Sequence, residues 1–227
     1  MPREIQMKRV KSKLALAAVL ALAGCAPVDR ARETANPSTP ARALALQVCS
    51  NCHGADGNSD LSNFPNIAAQ TQPYFVKQLT GFRAHNRPDP ADFEYMWGLS
   101  RYLTDEQIKG LAAYYAAQSP RRFVSSNSPK PGQMDRGREM FQTGVSQKNI
   151  RACVRCHGKA GEGDDEVPRI ANQHAAYVVR QLLAVERTQA EPQSPATEER
   201  AHELIAKELT REDVEAVAGY LEALPVR

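Results

Sequence analysis

Four of the five cysteines in the 227-residue chain fall into two C-x-x-C-H strings, Cys49-Ser50-Asn51-Cys52-His53 and Cys153-Val154-Arg155-Cys156-His157. Two thiols one helical turn apart, followed at once by an imidazole, are spaced for a particular chemistry. Each thiol can add to a vinyl group of a haem while the imidazole swings beneath the iron as its proximal ligand. The strings therefore predict two covalently bound haem c groups, held through Cys49 and Cys52 and through Cys153 and Cys156, with His53 and His157 on the irons. A zinc site shared by the two C-x-x-C pairs gives no reason for either histidine, and the offset of 104 positions from one string to the next far exceeds ribbon spacings. A thioredoxin-like dithiol needs a preceding strand and a βαβ context that the sequence lacks.

The elements that must position these groups repeat with them. His53-Gly54-Ala55-Asp56-Gly57 parallels His157-Gly158-Lys159-Ala160-Gly161, and Pro65-Asn66-Ile67-Ala68-Ala69-Gln70 parallels Pro168-Arg169-Ile170-Ala171-Asn172-Gln173. Leu103-Thr104-Asp105-Glu106 parallels Leu209-Thr210-Arg211-Glu212. The chain is a tandem duplication: a first domain over residues 41–120, a linker rich in Ser, Pro and Gly over 121–133, and a second domain over 134–227. No segment alternates as a half-buried strand does, so the fold is expected to be all-α. Thr39 is expected to cap the first helix, which presents Leu44 and Val48, and Asp135 the helix presenting Met140 and Phe141. Pro73 opens a helix turning Tyr74, Phe75, Leu79 and Phe82 inward, matched by Tyr177, Val178, Leu182 and Val185. Capping boxes at Thr104 with Gln107 and Thr210 with Asp213 start the closing helices, whose inner faces are Ile108, Leu111 and Tyr115 and then Val214, Val217 and Leu221. A unit of roughly 80 residues has little core of its own, and a stapled cofactor would supply the missing apolar centre.

Residues 1–24 read as an export signal, with Lys8, Arg9, Lys11 and Lys13 ahead of an apolar stretch over 14–23 and small residues before Cys25. That stretch is shorter than the roughly 18 residues of a membrane-crossing helix. Leu22-Ala23-Gly24-Cys25 resembles the lipobox of bacterial lipoproteins, which implies lipidation of Cys25, a tether over residues 25–40 and a periplasmic domain held to a membrane, inner or outer. Removing the leader takes 29 Lys and Arg against 26 Asp and Glu to 24 against 25. A near-neutral mature chain has no basic face to release counterions from phosphates, which excludes nucleic acid as a partner.

The two C-x-x-C-H-G motifs, the paired Pro-x-Ile-Ala-x-Gln segments and the closing Leu-Thr…Tyr helices resemble, over residues 41–227, the class I c-type cytochromes, and specifically the tandem dihaem cytochrome c-four (c4) family. The resemblance implies two class I cytochrome c domains packed with their haem propionate edges facing. It implies that the carbonyls of Pro65 and Pro168 accept the N–H of His53 and His157, and that a methionine ahead of each closing helix is the distal ligand. Met96, eight positions before Thr104, takes that place in the first domain, where a thioether favours ferrous iron. Eight positions before Thr210 the residue is His202, a departure that implies His157 and His202 on the second iron. An open iron, or a ligand from His174, are the alternatives; Met134 and Met140 read as packing. Arg83, Arg87 and Arg180 are candidates to neutralise propionates, Glu162, Asp164, Asp165 and Glu166 a solvated loop or docking patch, and His85 a solvated loop residue.

With both irons six-coordinate, the chemistry left is outer-sphere electron transfer. The function expected is a lipid-anchored dihaem carrier passing single electrons between respiratory redox proteins, without substrate turnover of its own. Two alternatives stand beside it: a cytochrome subunit of a larger oxidoreductase complex, and a dihaem peroxidase-like or gas-binding protein if the second distal site is open.

Overall fold

The structure, a computed structural model, describes residues 33–86, 93–122, 132–184, 202, 205 and 207–226. The expectations for the leader, Cys25, Arg87, Val185 and most of the linker lie outside those residues. Among the described residues the chain is helical and has no strand, only the isolated bridges Val145 to Ile150 and Asp164 to Val167.

In the first half, α1 (Ala41–Leu44) opens into a π-helical turn, Ala45–Cys49, and then α2 (Ser50–His53). Pro40, not Thr39, occupies the N-cap of α1, without a side-chain cap, and the Thr39 hydroxyl turns back to Glu33 O at 3.5 Å. The fixed φ of proline suits a helix start, so the hydroxyl is not needed there. Next come α3 (Gln72–Arg83), α4 (Phe93–Ser100) and α5 (Asp105–Ala116). In the second half α6 (Gln133–Thr143) starts after Gly132, whose φ of +78° only glycine adopts freely. Asp135 is therefore not the cap. It lies in the first turn, where Arg138 donates to it and the helix dipole favours a carboxylate. There follow α7 (Val154–His157), α8 (Ala175–Ala184) and α9 (Arg211–Ala223). Both capping boxes form, Thr104 with Gln107 and Thr210 with Asp213.

Each closing helix carries its half's core. Helix α5 packs on α1 and α3, burying Ile108, Leu111 and Tyr115 against Leu44, Phe75 and Leu79. Helix α9 packs on α6 and α8, burying Val217, Ala218 and Leu221 against Met140, Phe141 and Val178. Phe75 stacks on Tyr115 at 5.6 Å, and the Tyr115 hydroxyl donates to Ala45 O at 3.3 Å, inside the π turn that precedes Cys49.

The halves are joined by hydrogen bonds that occur twice, once in each direction. Gln70 donates through Nε2 to Arg169 O (3.2 Å) and accepts through Oε1 from Arg169 N (2.7 Å). At the equivalent place Gln173 donates to Asn66 O (2.9 Å) and accepts from Asn66 N (2.8 Å). Thr71 Oγ1 donates to Asp165 O, and its counterpart His174 donates through Nε2 to Ser59 O at 3.0 Å. Lys77 pairs with Glu166 at 2.9 Å, and its counterpart Arg180 donates to Asn63 O at 2.8 Å. This is the reciprocity of an isologous interface, here within one chain. Replacing Gln70 or Gln173 by Ala leaves a buried N–H and C=O without partners, and each change is expected to cost about 1–3 kcal/mol, read as a loss in chemical denaturation of the holoprotein. A loss for one glutamine but not for the other would contradict the reciprocal clasp.

Candidate functional site

The two C-x-x-C-H turns end in the same way. His53 closes α2 and Gly54 follows at φ +78°; His157 closes α7 and Gly158 follows at φ +81°. A Cβ on Gly54 would stand 2.4 Å from Asn58 O, so the chain can reverse there only with glycine. The reversal carries each loop round to a proline whose carbonyl the histidine reaches. His53 Nδ1 donates to Pro65 O and His157 Nδ1 to Pro168 O, each at 3.0 Å. With Nδ1 committed to a carbonyl, Nε2 is the nitrogen left for a metal.

The cysteines sit in an apolar wall. Burial pushes the Cys49 thiol up to about 11 and the Cys153 thiol likewise to about 11. A redox dithiol has the opposite bias, toward thiolate, so the buried pairs suit a neutral thioether. Among the described residues no group of three or more His, Cys, Asp or Glu side chains is arranged to hold a metal ion alone, and the two pairs lie in separate halves.

Both turns face one cavity of about 900 Å³. From the first half its wall includes Val48, Cys49, Cys52, His53, Leu79 and Met96; from the second, Cys153, Cys156, His157, Val178, His202 and Leu209. Met96, on α4, is half-buried against the first core and lines the same cavity as His53. In the second half the ring of His202 has its centroid 6.1 Å from that of His157, the planes 35° apart. With a metal–nitrogen bond of about 2 Å and a ring nitrogen about 1.1 Å from its centroid, two imidazoles on opposite sides of one metal have centroids about 6.2 Å apart. Burial, and secondarily His157, push His202 down to about 4; burial also lowers His157. Both rings are neutral at pH 7, the form that binds metals. The paired thiols, the oriented imidazoles and the apolar cavity fit two haem groups.

His174 is elsewhere. It is fully buried at the seam, bonded to Ser59 O and 3.9 Å from Glu222, a domain contact and not a partner of His157. Arg83 donates to Asp105 (2.6 Å) and to Leu103 O (2.9 Å), and Arg180 donates across the seam to Asn63 O. The acidic loop is not simply solvated, because Glu166 and Asp165 O hold α3 of the first half. His85 is exposed but packs its ring on Trp97 at 4.7 Å. Sequence reasoning missed Asn66, Gln70, Arg169 and Gln173; the signal was present in the repeated Pro-x-Ile-Ala-x-Gln segment, whose glutamine recurs because each half needs it.

Known proteins resemble this chain in sequence and fold. The Cytochrome c family model matches residues 38–117 and 134–225. Cytochrome c4 of Stutzerimonas stutzeri is 30% identical over 186 residues, 79% of this chain and 85% of that protein. The thiosulfate dehydrogenase electron acceptor of Stutzerimonas stutzeri strain A1501 is 31% identical over 178 residues, 78% of each. The crystal structure of reduced recombinant cytochrome c4 from Pseudomonas stutzeri superposes with a TM-score of 0.66 at 28% identity, over 84% of this chain and 100% of that one.

Replacing His202 by Ala removes one of the two donors on its side of the cavity. The expected outcome in low-temperature EPR of the ferric protein is two low-spin centres in the parent and one low-spin and one high-spin in the variant. A parent that already contains a high-spin centre would rule out His202 as a ligand.

Proposed function

Because the chain belongs to the cytochrome c family, as a cytochrome c4-like tandem member with two covalent haem c groups, we propose that it is a lipid-anchored, periplasmic electron carrier with asymmetric irons. In this reading His53 and Met96 hold the first iron and His157 and His202 the second. The observation that carries the reading is the 6.1 Å spacing of the His157 and His202 rings, which supplies a second donor where the methionine of the first half has no counterpart.

When bound, the haem irons supply one-electron cycling between ferric and ferrous states. The chain's own residues do the rest. Met96 and His202 would each supply a second donor to the iron on their side, so a substrate could bind there only by displacing a side chain. The Pro65 and Pro168 carbonyls hold each proximal ring in one orientation. The apolar walls exclude water, and the seam fixes the two C-x-x-C-H turns relative to one another. Imidazole donates more strongly to ferric iron than thioether does, so ligation by His202 would set the second centre below the first in potential. Electrons would then pass from the second half to the first.

Cys25, following the lipobox-like Leu22-Ala23-Gly24, would carry the lipid, with residues 26–40 as the leash. The partners are redox proteins. A more specific second reading, acceptor subunit of a larger oxidoreductase, is supported by the likeness to a thiosulfate dehydrogenase electron acceptor, and stable co-purification of a dehydrogenase would mark it.

Three outcomes test the proposal. The reduced protein should bind no carbon monoxide at neutral pH; prompt binding would instead indicate an open iron and gas or peroxide chemistry. A redox titration should resolve two one-electron waves, and His202→Met should raise the lower of them toward the upper. Cys25→Ser should move the protein from the membrane to the soluble fraction; unchanged membrane association would sink the lipid anchor.

A further inference from the structure

The cavity wall at the seam holds a charge that no other described residue balances. Arg169 follows Pro168, lines the cavity and is only 5% exposed. Its Nε and Nη2 donate across the seam to Ala68 O, at 3.2 and 2.8 Å, and its Nη1 donates to Ala171 O in its own half. A guanidinium has five N–H bonds, so one remains on each terminal nitrogen. Every acceptor it has is a neutral carbonyl. Among the described residues it makes no ion pair, and the other charged side chains on the cavity wall do not help it. Glu166, the one carboxylate there, pairs with Lys77, while Arg151 and Arg155 are exposed cations. Burial pushes the Arg169 guanidinium down to about 10, which still leaves it cationic at pH 7.

A buried charge is tolerated when it is paired, so the anion missing from the chain should arrive with what fills the cavity. Haem c brings two propionate carboxylates. We propose that Arg169 is the seam's carboxylate-binding residue, receiving haem propionate on its remaining N–H bonds and raising the reduction potential of the haem it pairs with. The proposal rests on the dihaem reading above. A cation in a low-dielectric site favours the state with one more electron, and pairing also offsets the opposing field of the carboxylate itself. The charge is one-sided. The repeat-equivalent residue is Asn66, neutral, with Nδ2 on Asn172 O and Oδ1 on Ser59 N. It is also conditional on docking, because the guanidinium is held by a carbonyl from each half.

The experiment uses the full haem-loaded protein. The parent should contain two haem c per chain and titrate in two reversible waves; failure there would overturn the dihaem carrier reading, and this proposal with it. In Arg169→Gln one or both waves should shift to lower potential. Gln70→Ala removes bonds to the Arg169 backbone while keeping its charge, and should lower stability while shifting the waves less than Arg169→Gln does. Because Arg169→Gln removes the guanidinium clasp as well as the charge, Arg169→Lys is measured beside it: the waves should stay nearer the parent's, while the propionate bending bands in resonance Raman spectra shift. Unmoved waves in Arg169→Gln, an equal shift in Gln70→Ala, or propionate bands unchanged in both Arg169 variants would each overturn the assignment.

Discussion

The imidazole of each C-x-x-C-H turn is held by a hydrogen bond to the carbonyl of Pro65 or Pro168, and the peptide immediately beyond that carbonyl is what the opposite half grips. The residue after the proline has both its N–H and its C=O clasped by a glutamine from across the seam. Orientation of the ligand and docking of the domains are thus enforced on adjacent atoms of one extended segment. A shift at the seam cannot leave the imidazole undisturbed, and a loose imidazole loop would have no rigid edge to dock. The small core of each half makes this economical, since the segment that completes the cofactor cavity also joins the two halves.

The reciprocity of the seam explains how duplication yields a rigid pair instead of two beads on a linker. In an isologous contact every favourable bond is made twice. Residues 63 and 166, 66 and 169, 70 and 173, 71 and 174, and 77 and 180 each occupy equivalent places. Within that frame the chemistry has diverged without breaking the contact. Thr71 and His174 both reach a carbonyl in the other half's haem loop, one with a hydroxyl and one with an imidazole. Lys77 meets a carboxylate where Arg180 meets a backbone oxygen.

Much of this was legible in the sequence because the motifs bind covalent chemistry to short spacings. The C-x-x-C-H strings, the capping boxes and the inward faces of α5 and α9 depend on residues within a few positions of one another, and local pattern reports local geometry. Helix starts were less legible. Thr39 and Asp135 have the side chains of caps, but neighbouring Pro40 and Gly132 settle the backbone first. The seam was hidden for a different reason. Gln70 and Gln173 act on atoms about 100 positions away, and a repeat shows that a glutamine is needed without showing by whom. For the same reason Arg169, inside a motif, did not stand out as a cation of the seam.

The two halves differ most where a difference changes redox behaviour. Met96 faces His202 as its counterpart, and Asn66 faces Arg169. On the reading proposed here these two differences act on potential in opposite senses. An imidazole in place of a thioether lowers the second centre, while a buried guanidinium raises whichever haem it pairs with. They also act through different physics: ligation is a property of one iron and survives separation of the halves, whereas the guanidinium is in place only while Ala68 O and Ala171 O are brought together. The ligand difference therefore sets a direction for electron flow that is intrinsic to each half, and the seam charge adjusts the size of the step only in the docked molecule.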